Sequence, residues 1–174
     1  MSHKRKSTMG QYYKVYMQKE QDGGALKETI ADFGMYCMDI PFAIGGSAKS
    51  LTERSWADED GKDVYIPEKI MIEAYTITVK FGFKGDKFSA NENITNMVNY
   101  LTGRDGSGVY LKMYCDYTRI GRKHVRFVKL SDEAELVRND EDGDILVIEM
   151  QFSVDDPVTA VTAEEKNDTI TGLA

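Results

Sequence analysis

The chain is poor in the residues that usually announce chemistry. It has 2 cysteines, 2 histidines, 3 prolines and 1 tryptophan in 174 residues. Cys37 and Cys115 lie far apart with no CxxC or ligand spacing, which excludes a zinc motif or a redox pair and leaves two buried free thiols as the expectation. His3 falls in the N-terminal segment, and His124, inside RKHVRF, reads as a strand-surface side chain. GxSxG, GxxxxGK[ST] and HExxH are all missing, and the pairs Gly23/Gly24 and Gly45/Gly46 are too short for a dinucleotide fingerprint. No catalytic, cofactor-binding or metal-ligating set is therefore assigned. No run approaches the roughly 20 apolar residues of a membrane span, and MSHKRKS leads into polar residues, unlike a secretory signal. Excess positive charge is also lacking: the net charge is −7, against broad nucleic-acid binding.

What is present is alternation. In MIEAYTITVKFGF, residues 71–83, Tyr75, Ile77, Val79, Phe81 and Phe83 share one face of an extended strand, and Thr76, Thr78, Lys80 and Gly82 the other. Thirteen extended residues reach roughly 40 Å, about twice a common strand. Such a strand either bends around a core or projects beyond it. Residues 12–17, 109–117, 123–130 and 144–154 read as further strands, with Leu146, Ile148, Met150, Phe152 and Val154 on one side of the last. Arg119 to Arg122 is read as the turn between two of them, and Pro157 ends pairing. A second apolar segment covers 30–44.

One helix is expected, over residues 89–102. Ser89 and Glu92 fit a capping box, Ile94, Met97, Val98 and Leu101 recur at helical spacing, and Gly103 suits the stop. The sum is a mainly β (α+β) chain, an antiparallel β-sandwich or barrel with one packed helix. We divide it into an arm with a short strand (1–30), a main domain (31–157) and a flexible tail (158–174), whose apolar content is low.

The polar loop 45–63 holds Trp56, which either anchors on a partner or folds back on the domain's own core. Two acidic turns, DEDGKD at 58–63 and NDEDGD at 139–144, resemble pieces of calcium loops but lack the twelve-position pattern; Asp142 and Gly143 fit a hairpin turn. The one dense cationic stretch is Arg119, Arg122, Lys123, His124, Arg126 and Lys129. Strict alternation would place Arg122, His124 and Arg126 on one face, and in so acidic a chain an ionic contact with a neighbouring copy's acidic turns is favoured over nucleic acid.

The order of these segments resembles the N-terminal domain of the distal tail protein family of long-tailed bacteriophages, from about Asp32 to Pro157. It runs DFGMYC, ADEDGKDVY, IMIEAYTITVKFGF, NITNMVNYLTG, YLKMYCDYTRIGRKHVRFV and ILVIEMQFSVDDP. The resemblance implies a structural, non-enzymatic role as a hexameric ring in the virion tail. That ring joins tube to hub, with tube, hub and tape-measure proteins as partners and synthesis in the bacterial cytoplasm. Related tail-tube subunits share the architecture. The chain stops soon after DDP, so the second, carbohydrate-binding-like domain of longer members is not expected. The interface candidates are Trp56, Tyr75, Phe83, Arg122 and Arg126. The competing class is a carbohydrate- or peptide-binding β module using Trp56, Tyr110 and Tyr114.

Overall fold

A computed structural model describes residues 12–21, 24–85, 87–131, 135–139 and 143–174. The expected arm before residue 12, and residues 140–142 of the acidic turn, lie outside the described residues. In chain order the elements are β1 (Val15–Lys19), β2 (Lys27–Glu28), α1 (Thr29–Phe33), β3 (Met35–Asp39), β4 (Glu53–Arg54), β5 (Asp63–Val64), β6 (Tyr75–Lys84), α2 (Lys87–Leu101), β7 (Leu111–Cys115), β8 (Ile120–Leu130), β9 (Glu135–Asn139), β10 (Gly143–Val154), β11 (Ala163–Lys166) and β12 (Thr169–Leu173).

The main sheet is antiparallel and curled into a half-barrel, in the order β2, β1, β7, β8, β10, β6, β3, with β9 added on β10. Its two ends meet where Tyr13 N–H donates to the Cys37 carbonyl at 2.6 Å, an isolated bridge. The alternation of 71–83 becomes β6, but pairing begins only at Tyr75. All ten of its residues pair with β10, from Val154 opposite Tyr75 to Ile145 opposite Lys84, and β3 covers the other edge from Phe83 to Lys80. The strand therefore bends around a core, and its length is taken up by two neighbours.

Ile77, Val79, Phe81 and Phe83 face inward with Ile148, Met150, Phe152 and Val154. Helix α2 lays Ala90, Met97, Tyr100 and Leu101 on that face, where burying a large apolar side chain contributes about 1.5–3 kcal/mol. The helix starts at Lys87, so Ser89 sits in its first turn instead of at the cap. It stops at Gly103, whose φ of 72° leaves a Cβ no room: one would lie 2.7 Å from the Gly108 carbonyl oxygen. Lys19 fastens the helix end, its ammonium donating to the carbonyls of Tyr100 (2.5 Å) and Gly108 (2.6 Å).

Three expectations are corrected. Cys115 and Ile120 pair directly, so the turn lies ahead of Ile120, and Gly121 and Arg122 belong to β8. Strict alternation in β8 fails because Met113 opposes Arg122 while Leu111 opposes Val125, leaving Lys123 and His124 across from one residue. This is a bulge, with His124 at φ 51°. Finally, residues 163–173 are not a loose tail: β11 and β12 form a hairpin whose Val161 and Leu173 pack on Tyr114, a second small core outside the sheet. The polar run between them hid it, because its few apolar residues, Val161 and Leu173 with Ala163 and Ile170, pack on an aromatic already in place.

Candidate assembly surface

Between β3 and β6 the chain leaves the sheet as a two-stranded arm, residues 44–73. Its ladder runs from Glu73 N–H to the Ser47 carbonyl (2.8 Å), through Lys49 N–H to the Met71 carbonyl (2.8 Å), to Tyr65 N–H on the Thr52 carbonyl (2.9 Å) and the β4–β5 pair. The Lys62 ammonium contacts the Glu53 carboxylate near the tip. A two-stranded ribbon with no third layer is at best marginally stable in water. This one also leaves Ile44, Trp56, Tyr65, Ile66, Ile70 and Met71 exposed, at 86%, 52%, 72%, 70%, 48% and 55%.

At the arm's root one residue is gripped twice. Ala43 donates its N–H to the Tyr75 hydroxyl oxygen at 3.2 Å, and its carbonyl accepts from Arg122 Nη2 at 3.0 Å. The bulge at His124 makes the second contact available, since it keeps Arg122 on the same side as Val125. Arg122 is buried, donates from Nη1 to the Gly121 carbonyl at 2.9 Å, and leaves its Nε without a partner. Beside this latch lies an open depression of about 510 Å³, lined by residues including Ala43, Ser47, Glu73, Tyr75 and Ser153.

Two expected interface residues, Tyr75 and Arg122, thus meet on Ala43 and position the arm that carries a third, Trp56. Trp56 stands half exposed on the arm and does not return to the core. Phe83 is elsewhere, 5% exposed at the far end of β6 inside the core cluster. Arg126 is outside the latch and already satisfied: its Nε donates to Asp155 Oδ2 at 2.7 Å.

Asp155 also accepts from the Ser153 hydroxyl at 2.5 Å and the Tyr110 hydroxyl at 3.1 Å. Partial burial pushes its carboxyl up, but these hydrogen bonds and the Arg126 charge outweigh that and hold it below the usual carboxylate range. The bond to Asp155, with its charge, raises the Tyr110 hydroxyl and the Arg126 guanidinium. Next to this group Glu20 accepts from His124 N–H at 2.5 Å and meets His124 Nδ1 at 2.6 Å. Of the residues named for a glycan surface, Tyr114 is buried under the C-terminal hairpin.

The sequence reading did not find Tyr65 and Ile66. The run VYI immediately before Pro67 was the available signal, an apolar strand stub that ends where a backbone donor is lost. Ala43 itself left no signal, because it enters the latch through its backbone N–H and carbonyl.

No protein-family model matches this chain, and no curated protein matches it. Among solved structures it is similar to the crystal structure of the SPP1 Dit (gp 19.1) protein, described as a paradigm of the hub adsorption apparatus in Gram-positive-infecting phages. The TM-score is 0.52 at 14% identity, covering 87% of this chain and 52% of that one. This chain thus spans about half the length of that protein. The likeness is one of fold: a distal-tail type of half-barrel.

Proposed function

We propose that this chain is a structural component of a phage tail, assembling as a hexameric ring that connects the tail tube to the tail tip. Tube, hub and tape-measure proteins are its neighbours in the virion, and its task is mechanical. The observation that carries the reading is the distal-tail fold, matched over 87% of the chain. The uncovered arm supports it, because a ribbon with six exposed large apolar side chains calls for a partner surface. Light scattering on the purified chain at high concentration, with negative-stain images alone and with tail partners, tests it. Discrete rings are expected. A strict monomer, with no ring in any image, overturns it.

A further inference from the structure

The arm and the C-terminal hairpin meet at one pair of residues. On the hairpin side, Val161 N–H donates to the Gly121 carbonyl at 3.1 Å, and Ala160 forms an isolated bridge with Arg122. The fit is close: a Cβ on Gly121 would lie 2.5 Å from the Val161 carbonyl oxygen. Farther along, the Lys112 ammonium donates to the Leu173 carbonyl at 2.8 Å, and Leu173 N–H donates to Gln18 Oε1 at 2.9 Å. The hairpin thereby covers Tyr114, with Tyr16 and Leu26 packed beside it. On the arm side, the Arg122 guanidinium reaches the Ala43 carbonyl from Nη2 and the Gly121 carbonyl from Nη1. The Gly121 carbonyl is thus shared between the hairpin and the residue that grips the arm.

We propose that Arg122 couples the two, so that undocking the hairpin releases the root of the arm, and opening the root loosens the hairpin. From hairpin to arm, the path is the backbone. Arg122 is paired with Met113 of β7 on one side and bridged to Ala160 on the other, and removing the second frees the bulged start of β8 to shift. A displaced backbone at Arg122 carries the guanidinium away from Ala43. From arm to hairpin, the path is the buried charge. Both acceptors of the guanidinium are carbonyls, and Nε has no partner among the described residues. With Ala43 gone, a buried cation left with one acceptor is strongly disfavoured. The side chain then swings toward solvent and draws on the segment that Val161 holds. The guanidinium is therefore the two-state element that both ends bias, and the coupling is reciprocal. A partner that locks the arm tightens the cover on Tyr114, and one that pulls the root open loosens it. This device goes beyond the ring reading and does not depend on it.

The test reads native-state amide exchange in the full chain. Val161→Asp with Leu173→Asp places two carboxylates in the small core on Tyr114 and expels the hairpin, which free exchange of the amide at position 161 verifies. Exchange at Ala43, Lys49 and Glu73 is then expected to rise roughly 2- to 30-fold, while amides of the β6–β10 ladder hold. Gly121→Ala, whose methyl carbon would meet the Val161 carbonyl oxygen at 2.5 Å, undocks the same segment by a second route and is expected to give the same rise. In an Arg122→Met chain, where the latch is already lost, expelling the hairpin should add nothing at Ala43. Unchanged exchange at all three arm amides with the hairpin expelled overturns the proposal. So does an equal further rise in the Arg122→Met chain, or a rise that the β6–β10 amides share.

Discussion

Arg122→Met separates the arm's attachment from the stability of the domain. Loss of the Nη2 bond to the Ala43 carbonyl removes a hydrogen bond from a charged donor, worth about 1.5–3 kcal/mol. The same change removes the buried, partnerless Nε, an unmet donor costing about 1–3 kcal/mol. The Gly121 carbonyl keeps its bond from Val161 N–H at 3.1 Å, and the Ala43 carbonyl borders the open depression, where water can reach it. The two contributions oppose each other in the global balance, so unfolding by urea should change by less than about 1 kcal/mol. Locally they do not cancel, because only the bond restrains the arm. At 1.4 kcal/mol per tenfold, opening of the root should rise roughly 10- to 150-fold. Native-state amide exchange at Ala43, Lys49 and Glu73 reports that opening, with core amides of β6 and β10 as reference. Tyr75→Phe, which loses one neutral bond worth about 1 kcal/mol, should give about a fivefold rise at Ala43. Unchanged exchange at all three amides would refute the latch. So would a global loss above about 3 kcal/mol with exchange rising uniformly, which would make Arg122 a core residue first.

Two further outcomes are expected. Lys19→Met keeps the apolar stem but strips a donor from the Tyr100 and Gly108 carbonyls, at about 1–3 kcal/mol each. The melting temperature should fall by roughly 5–15 °C in calorimetry for a chain of this size, and a change below 1 °C would count against the fastening role. Asp155 titrates below its unfolded value of about 3.9, so its stabilising contribution is complete above that pH and is lost as pH falls through the lower, folded value. Asp155→Asn should therefore melt earlier than wild type at pH 7, with the gap closing as pH falls below the unfolded value. A gap that stays constant as the solution is acidified contradicts the assignment.

The parts of the fold written as strong period were legible before any coordinates. β6, β10 and α2 each carry several inward residues at one spacing, and each stands within a few residues of the reading. What escaped depends on single residues or on partners distant in sequence. One extra residue at His124 re-phases β8 and sends Arg122 and Arg126 to different sides, which no alternation rule anticipates. Strand β9 is five residues long and pairs with the opening half of β10, so it is defined by its neighbour more than by its own pattern. The candidate surface was half legible: Trp56 marked the arm, while Tyr75 and Arg122, named for contact with a neighbour, turn out to secure that arm from within. Phe83 was named for its position near the strand's end, where the inward face is occupied by the core.

The bridge between Tyr13 and Cys37 has a mechanical side. Strands β6 and β10 are joined by ten paired residues, whereas among the described residues the two ends of the curled sheet are held together at this point by a single hydrogen bond of 2.6 Å. A force drawn along the chain from Tyr12 meets that one bond before any other in the sheet, and then β1 peels from β7 one pair at a time. A force shearing β6 against β10 loads their shared ladder all at once. The domain is therefore anisotropic: yielding when tugged by its N-terminal edge and stiff along its central strands, a difference that single-molecule pulling from opposite attachment points would resolve as two separate rupture forces.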